Sequence, residues 1–462
     1  MRLIRLKSIL PIALAILILI SSYEIFIIRQ FTAANKYTLT TRTPTAAPTI
    51  QLLKGGHPLL HETEHNSTNS LISQHSISMD DISDPYHILT EYNIQLKANK
   101  IARAFFTQYQ NKFDWCNPGL EQGFIATQQS AKGMLFVRVP KAASSTISSA
   151  LNRLTIKGVG GKNGNIAMEC AKKLQHVSAG MNPFRNRDAN ESFLVGNVRD
   201  PAKRTLSRMW FTQFSRFDDQ PPDTWVISTI LNDDGDPQYG VLSKGRGGFQ
   251  LKYLSLDSIE EYSAWSPNAT DPLLVIDPDL VERNVEKILN DYDFLIVAER
   301  LDESLVAIKF LLDVSINNIL YTSSKVSGSG FHYIKGYNIC RPLKKFEMTD
   351  SLRVFFNSNR WRVLNYGDYL LHEAANRSLD MTIERIGRDR FAIDLAEFRR
   401  ELALVHEHCT SEGKVILPCS DEGVVQFEAS KLNCYNKDMG CGHACIDDMV
   451  PTLERNRKST AQ

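Results

Sequence analysis

The sequence predicts an α/β protein, a doubly wound parallel sheet, and three observations carry that prediction. Met134 to Val139 and Phe193 to Val198 are mainly apolar runs rich in β-formers, the pattern of strands buried on both faces. Each run ends in Pro and polar residues and passes directly into helical periodicity, with Ile147, Ala150 and Leu151 on one face after the first and Pro201 opening the second. Two more apolar runs, 272–277 and 293–298, alternate with helical segments in the same way, so a ligand is expected across the strands' C-terminal ends.

With 462 residues the chain has room for a large domain plus appendages, or for two domains. Its formal net charge is +1, which gives no support to a nucleic-acid partner held by bulk electrostatics, so any anion site must be local. Residues 1–8 carry Arg2, Arg5 and Lys7 and are read as a cytoplasmic tail. Residues 9–28 form an apolar stretch close to the ~20 residues that span a bilayer, without an A-x-A-like cleavage site, and are read as an uncleaved signal anchor. Residues 29–130 are read as a stem, Thr/Pro-rich near 37–49 and His/Ser-rich near 57–87. Leu89 to Phe113 has helical periodicity, which fits either a stem helix or the start of the folded domain. The folded domain is placed at 131–412 and a Cys-rich C-terminal extension at 413–462.

The first strand leads into Pro140, Lys141, Ala142, Ala143, Ser144, Ser145 and Thr146. Pro140 stops the strand, and the order strand, tight loop, helix points backbone N–H groups and the positive end of a helix dipole at the loop. Lys141 adds a point charge, and the three hydroxyl residues add donors. This is a phosphate cradle, although G-x-x-x-x-G-K-[ST] is absent. The P-K-x-x-S-S-T pattern resembles the 5′-phosphosulfate loop of sulfotransferases that use 3′-phosphoadenylyl sulfate (PAPS). The competing reading is a Ser-capped helix after a strand.

The second strand supplies the discriminating match. Arg199 leaves its C-terminal end and Ser207 lies two helical turns on, forming R-D-P-x-x-R-x-x-S. This is similar to the 3′-phosphate signature of the same enzymes, which implies that Arg199 and Ser207 hold that phosphate. Arg suits the task because its planar fork bonds phosphate bidentately, while Asp200 and Arg204 read as structural, one capping the helix and the other pairing nearby. Farther on, A-E-x-x-D-E-S-L-V at 298–306, the stretch 360–378 and the helix to Cys409 resemble the galactose-3-O-sulfotransferase (galactosylceramide sulfotransferase-like) family. The likeness covers roughly 132–409. It implies a P-loop-like PAPS-sulfotransferase fold, PAPS as co-substrate, and a galactoside glycolipid or glycoprotein as acceptor.

Between the two phosphate motifs, His176 with Val177 and Ser178 is similar to the G-H-V-S of uronyl 2-O-sulfotransferases, with Gln175 in place of Gly. That similarity makes His176 the candidate catalytic base and glycosaminoglycan 2-O-sulfation the alternative reaction. Glu299, at the end of the 293–298 strand, is the second base candidate, and Lys141 is placed to stabilise the leaving phosphate. No H-E-x-x-H or paired-carboxylate spacing suggests a metal, and no Walker loop with a Mg²⁺-binding Asp supports a kinase. A catalytically dead nucleotide-binding module remains a further alternative.

Gly158 to Gly164, 244–249 and Ser327 to Gly330 read as loops, the first two at an acceptor cleft and the third over the adenosine. The eight cysteines include Cys419, Cys434, Cys441 and Cys445 near the C-terminus. With His443 they could bind zinc in a reducing compartment, but behind a signal anchor disulfides are expected. Sequons begin at Asn66, Asn190, Asn268 and Asn376. These features are read as a single-pass type II protein with its folded domain in the lumen, and the family resemblance implies that the membrane is that of the Golgi and the lumenal domain catalytic. The oligomeric state is left open.

Overall fold

A computed structural model of the chain describes residues 90–106, 133–158, 178–180, 182–190, 192–212, 220–232, 248–257, 277–322, 331–334, 339–342, 346–411, 419–420, 422–425 and 442–460. The 9–28 segment, His176, most of the 272–277 run, Ser327 to Gly330, Cys434 and Cys441 lie outside the described residues. Among those described, no helix is long and apolar enough to cross a membrane.

The fold is mixed α/β. In chain order the elements that matter for the site are α1 (Glu91–Ile101), β1 (Gly133–Val137), α2 (Ser144–Gly158), β2 (Ser192–Val198), α3 (Pro201–Thr212) and α4 (Phe249–Leu254). They continue with α5 (Pro278–Asp291), β3 (Phe294–Val297), α6 (Leu301–Leu311), the hairpin strands β4 (Phe331–Ile334) and β5 (Ile339–Pro342), α7 (Tyr366–Ile386), α8 (Arg388–Ser411) and α9 (His443–Thr460). β1, β2 and β3 form a parallel sheet in the order β1-β2-β3, and every residue of the three strands is buried. Their registers, Val137 opposite Gly196 and Val198 opposite Val297, bring the C-terminal ends of all three to one edge.

Gly196 is required where it stands. A Cβ there would lie 2.8 Å from Leu295 Cδ2 and Tyr292 Cε1 and 2.9 Å from Leu254 Cδ2, so only glycine lets α4 lie against β2. α5 shows how the run before it ends: Asp277, the last residue of the expected 272–277 strand, is an N-cap. Its Oδ1 accepts from Asp279 N at 3.0 Å and Leu280 N at 3.1 Å, with Pro278 opening the helix.

Within the 89–113 segment, α1 packs against α7 and α5. Ile94 and Ala98 are buried, and Phe105 packs on Phe294 with ring centroids 5.1 Å apart. Arg103 donates to Leu289 O, Asn290 O and Tyr292 O at 2.6, 3.4 and 2.9 Å, satisfying carbonyls at the C-terminal end of α5.

Two disulfides, Cys340–Cys419 and Cys409–Cys445, account for the described cysteines. The second fastens α9 to α8. α9 also lies on α2, where Asp447 accepts from the buried Arg153 at 2.6 Å and His443 Nε2 lies 3.1 Å from Ser149 Oγ. Cys445 and His443 are therefore each committed elsewhere than to a shared metal, and no cluster of metal-ligating side chains occurs among the described residues. Of the sequons, Asn190 is exposed in a turn, whereas Asn376 lies in α7 with its Nδ2 donating to His372 O at 3.2 Å.

Candidate functional site

The ladder between β1 and β2 ends at Val137, two residues before the expected strand end at Val139. A side chain takes over from the partner backbone. Asn197, fully buried in β2, accepts the Val139 N–H through Oδ1 at 2.8 Å, and its Nδ2 donates to Val139 O at 3.3 Å and Ala142 O at 2.5 Å. A primary amide is the side-chain group that can both accept and donate in this way. The loop so held is strained: Lys141 (φ 68°) and Ala143 (φ 59°) both occupy the left-handed region without being glycine. Alternation of left- and right-handed residues can form a concavity suited to an anion, although the Ala142 N–H is turned back to Val139 O at 3.4 Å. α2 starts at Ser144, with Ser144 and Thr146 buried and Ser145 half-buried.

Arg199 closes the site from the neighbouring strand end. Its Nη1 donates to Lys141 O at 2.8 Å, so the two sequence motifs, 58 residues apart, meet directly. Its own backbone is held by another amide: Gln250, at the start of α4, accepts from Arg199 N at 2.8 Å and donates to Arg199 O at 2.7 Å. Gln250 is itself fixed from α7. The carboxylate of Asp368, fully buried, accepts from Gln250 N at 3.1 Å and Leu251 N at 2.9 Å. Burial raises the Asp368 pKa, opposed by the charge of Arg204 and by these backbone donors. Arg204 is buried with its guanidinium 4.2 Å from the centre of the Phe249 ring. Asp200 caps α3, accepting from Lys203 N at 2.8 Å.

A charged group lies on the far side of Arg199. Glu299, in the 3₁₀ turn Ala298–Arg300 that follows β3, accepts from Asp200 N at 3.1 Å through the same Oε1 that lies 3.8 Å from Arg199 Nε. Its other oxygen is 3.2 Å from Nε2 of His372 on α7. Burial alone would depress the His372 pKa, but Glu299 and Glu373 outweigh it and raise it to about 9. The ring is thus imidazolium at neutral pH. Glu299 shows the converse balance: burial pushes its pKa up, and His372 with the backbone donors brings it below the usual carboxylate range. A carboxylate with both oxygens engaged and a lowered pKa is a poor proton acceptor.

α3 supplies the remaining wall. Lys203 and Phe211 are exposed and Ser207, between them at i+4 spacing, is half-buried, so the three share a helix face. The Lys141 ammonium lies 4.0 Å from the centre of the Phe211 ring, which brings that face against the loop.

The structure therefore brings together the 140–146 loop and Arg199, and places the α3 face bearing Ser207 beside them. His176 lies outside the described residues. Asn197, Gln250, Asp368 and His372 were not singled out from the sequence. The available signal was the i, i+4 repeat of Asp368, His372 and Asn376, which puts three polar side chains on one face of the helix. Comparison of the chain with protein-family models, with curated proteins and with solved structures finds no match.

Proposed function

We propose that the chain is a PAPS-dependent carbohydrate sulfotransferase on a doubly wound P-loop-like sheet. The observation that carries this reading is the direct bond from Arg199 Nη1 to the Lys141 carbonyl at the C-terminal ends of two adjacent parallel strands. Two anion-seeking loops joined at one sheet edge suit a ligand with two separated phosphate groups. The fit to PAPS rests on this chain's own groups. The loop N–H groups, Ser144, Ser145 and Thr146 would hold the 5′ end, and Arg199 with Ser207 the 3′-phosphate.

Sulfuryl transfer to an alcohol needs alignment, charge stabilisation at the leaving oxygen and a base for the acceptor hydroxyl. Lys141 would supply the charge. Its rest position over Phe211 costs little to leave, since an exposed cation–π contact is worth only about 0.5–1 kcal/mol. His176 remains the candidate base, because Glu299 is committed to Asp200 and His372. The proposed acceptor is the O-3 hydroxyl of a terminal galactose, on a glycolipid or glycoprotein, with uronyl 2-O-sulfation of glycosaminoglycans as the alternative. The disulfides Cys340–Cys419 and Cys409–Cys445 favour an oxidising compartment, in keeping with a Golgi-lumenal domain anchored through 9–28.

The test is transfer of labelled sulfuryl from PAPS to a panel of galactosides and glycosaminoglycans by the full chain. Lys141→Ala and Arg199→Ala are assayed beside it, and both should abolish transfer. Tighter binding of ATP than of adenosine 3′,5′-bisphosphate would overturn the proposal. Binding of the bisphosphate without transfer to any glycan would favour a nucleotide-binding module instead.

A further inference from the structure

α7 touches the nucleotide site without contributing a group that reaches into it. Asp368 and His372, one turn apart, each hold one side of the strand-end segment at Arg199 and Asp200. Asp368 does so through the α4 backbone and Gln250, His372 through Glu299. The charges in this corner raise a specific difficulty. Glu299 lies 3.8 Å from Arg199 Nε, and a carboxylate at that distance competes with any phosphate for the guanidinium. Yet the same carboxylate cannot simply be dispensed with, because it anchors the Asp200 N–H.

His372 resolves the conflict. Its ring is largely buried, with Nε2 on Glu299 and Nδ1 3.5 Å from Glu373, so it sits between two carboxylates and away from the anion loop. We infer that His372, as an imidazolium paired with Glu299, is a positioning residue that offsets the Glu299 charge and leaves Arg199 directed at the second phosphate of an adenosine 3′,5′-bisphosphate ligand. The inference rests on the proposed sulfotransferase reading, in which Arg199 holds that phosphate. Glu299 fixes the segment geometrically, and His372 keeps that fixing from consuming the positive charge. Nη2 of Arg199 makes no hydrogen bond among the described residues, so it can meet a phosphate oxygen while Nη1 stays on Lys141 O.

The groups that bear on His372 are Glu299 from the turn after β3 and Glu373 from α7 itself, with Asn376 Nδ2 3.4 Å from its ring nitrogens. Beyond Glu299 stand Arg199 and Asp200, and Arg300 donates to Asn376 O at 3.3 Å while pairing with Glu303 and Asp380. The pairings of Arg300 make it a bystander. The proton of His372 is thus the change expected between neutral and alkaline pH.

The experiment is calorimetric titration of the full chain with adenosine 3′,5′-bisphosphate and, separately, with adenosine 5′-monophosphate. The ratio of the two affinities isolates the contribution of the 3′-phosphate. His372→Gln keeps a donor for Glu299 but removes the charge, and should cut the ratio by about tenfold or more. Affinity for the monophosphate should stay within about threefold of the wild type, which a merely structural defect would not allow. Adding Glu299→Gln to His372→Gln should recover part of the ratio, because the competing carboxylate is gone. In the wild type the ratio should fall as pH rises from 8 to 10. The phosphates are already fully ionised there. Should His372→Gln not fold, the wild-type pH series decides the matter. A wild type that does not prefer the bisphosphate overturns the assignment of Arg199 and this inference with it. A preference that persists in His372→Gln, or stays flat to pH 10, overturns this inference alone.

Discussion

Removing the Asn197 side chain should unfasten the anion loop. In Asn197→Ala three hydrogen bonds vanish, and Val139 N, Val139 O and Ala142 O lose the partner they share. Residues 139 and 142 are fully buried, so water does not readily replace the amide. Val139 O keeps the Ala142 N–H at 3.4 Å, so the loss falls on Val139 N and Ala142 O; at about 1–3 kcal/mol for each orphaned buried group it comes to about 3–5 kcal/mol. At about 2–4 °C per kcal/mol for a domain of this size, the melting temperature should fall by about 6–20 °C. The same bonds also hold Lys141 and Ala143 at positive φ, a conformation that costs roughly 1–2 kcal/mol per residue. Without them the loop relaxes, and affinity for adenosine 3′,5′-bisphosphate should drop along with stability. Asn197→Asp should do no better, since it keeps the acceptor for Val139 N but turns a carboxylate towards two carbonyl oxygens. Urea unfolding and calorimetry on the two variants give both readouts. An Asn197→Ala protein that melts within about 2 °C of the wild type and binds the bisphosphate equally well would refute the reasoning.

Gly196→Ala should destabilise by about 1–3 kcal/mol in urea unfolding, because its Cβ would meet Leu295, Tyr292 and Leu254 at once. Cys445→Ser opens a bridge that spans 36 residues, which in the chain-entropy model is worth about 4 kcal/mol; thermal melts without reductant should place the variant below the wild type by the corresponding amount. The His372 pKa is raised to about 9 in the folded chain, so its contribution to stability is fully present below its free value near ~6.5 and is lost as pH rises through about 9. Unfolding at pH 6, 8 and 10 should show a loss on the order of 3 kcal/mol across that window, and His372→Gln should flatten the curve.

The parallel strands were legible because burial on both faces leaves an apolar run with little else in it, and because Pro140 and Pro201 mark where two of them stop. Strand ends were less legible. Val139 belongs to the apolar run but bonds to the Asn197 side chain instead of a ladder, and no pattern of hydrophobicity distinguishes the two. The 272–277 run misled at its end for a related reason, since Asp277 is the cap of α5. The C-terminal segment read as an appendage because its cysteines are counted locally, whereas their effect is not. Arg153 reaches Asp447 across 294 residues, and Cys445 pairs with Cys409 in the preceding helix. Of the candidate site, the loop and Arg199 stood out as motifs, and the structure brings them into contact through Arg199 Nη1 and Lys141 O.

The supports of the site obey a different constraint. Beyond Val137 and Val198 the chain has left the ladder, yet Val139 is still buried and Arg199 and Asp200 are half-buried, and their backbone groups still need partners. A further strand would satisfy them but would also cover the loop. Side chains that imitate a strand avoid this: Asn197 serves both backbone groups of Val139, Gln250 both of Arg199, and Glu299 the N–H of Asp200. A carboxamide suffices where donor and acceptor are needed together, and a carboxylate only where the bare groups are N–H donors. The choice has an electrostatic consequence. Two neutral amides add no charge beside Arg199, whereas the carboxylate does, and that is the position behind which α7 sets an imidazolium. Amide-for-acid exchange at Asn197 or Gln250 should therefore harm anion binding by charge as well as by geometry.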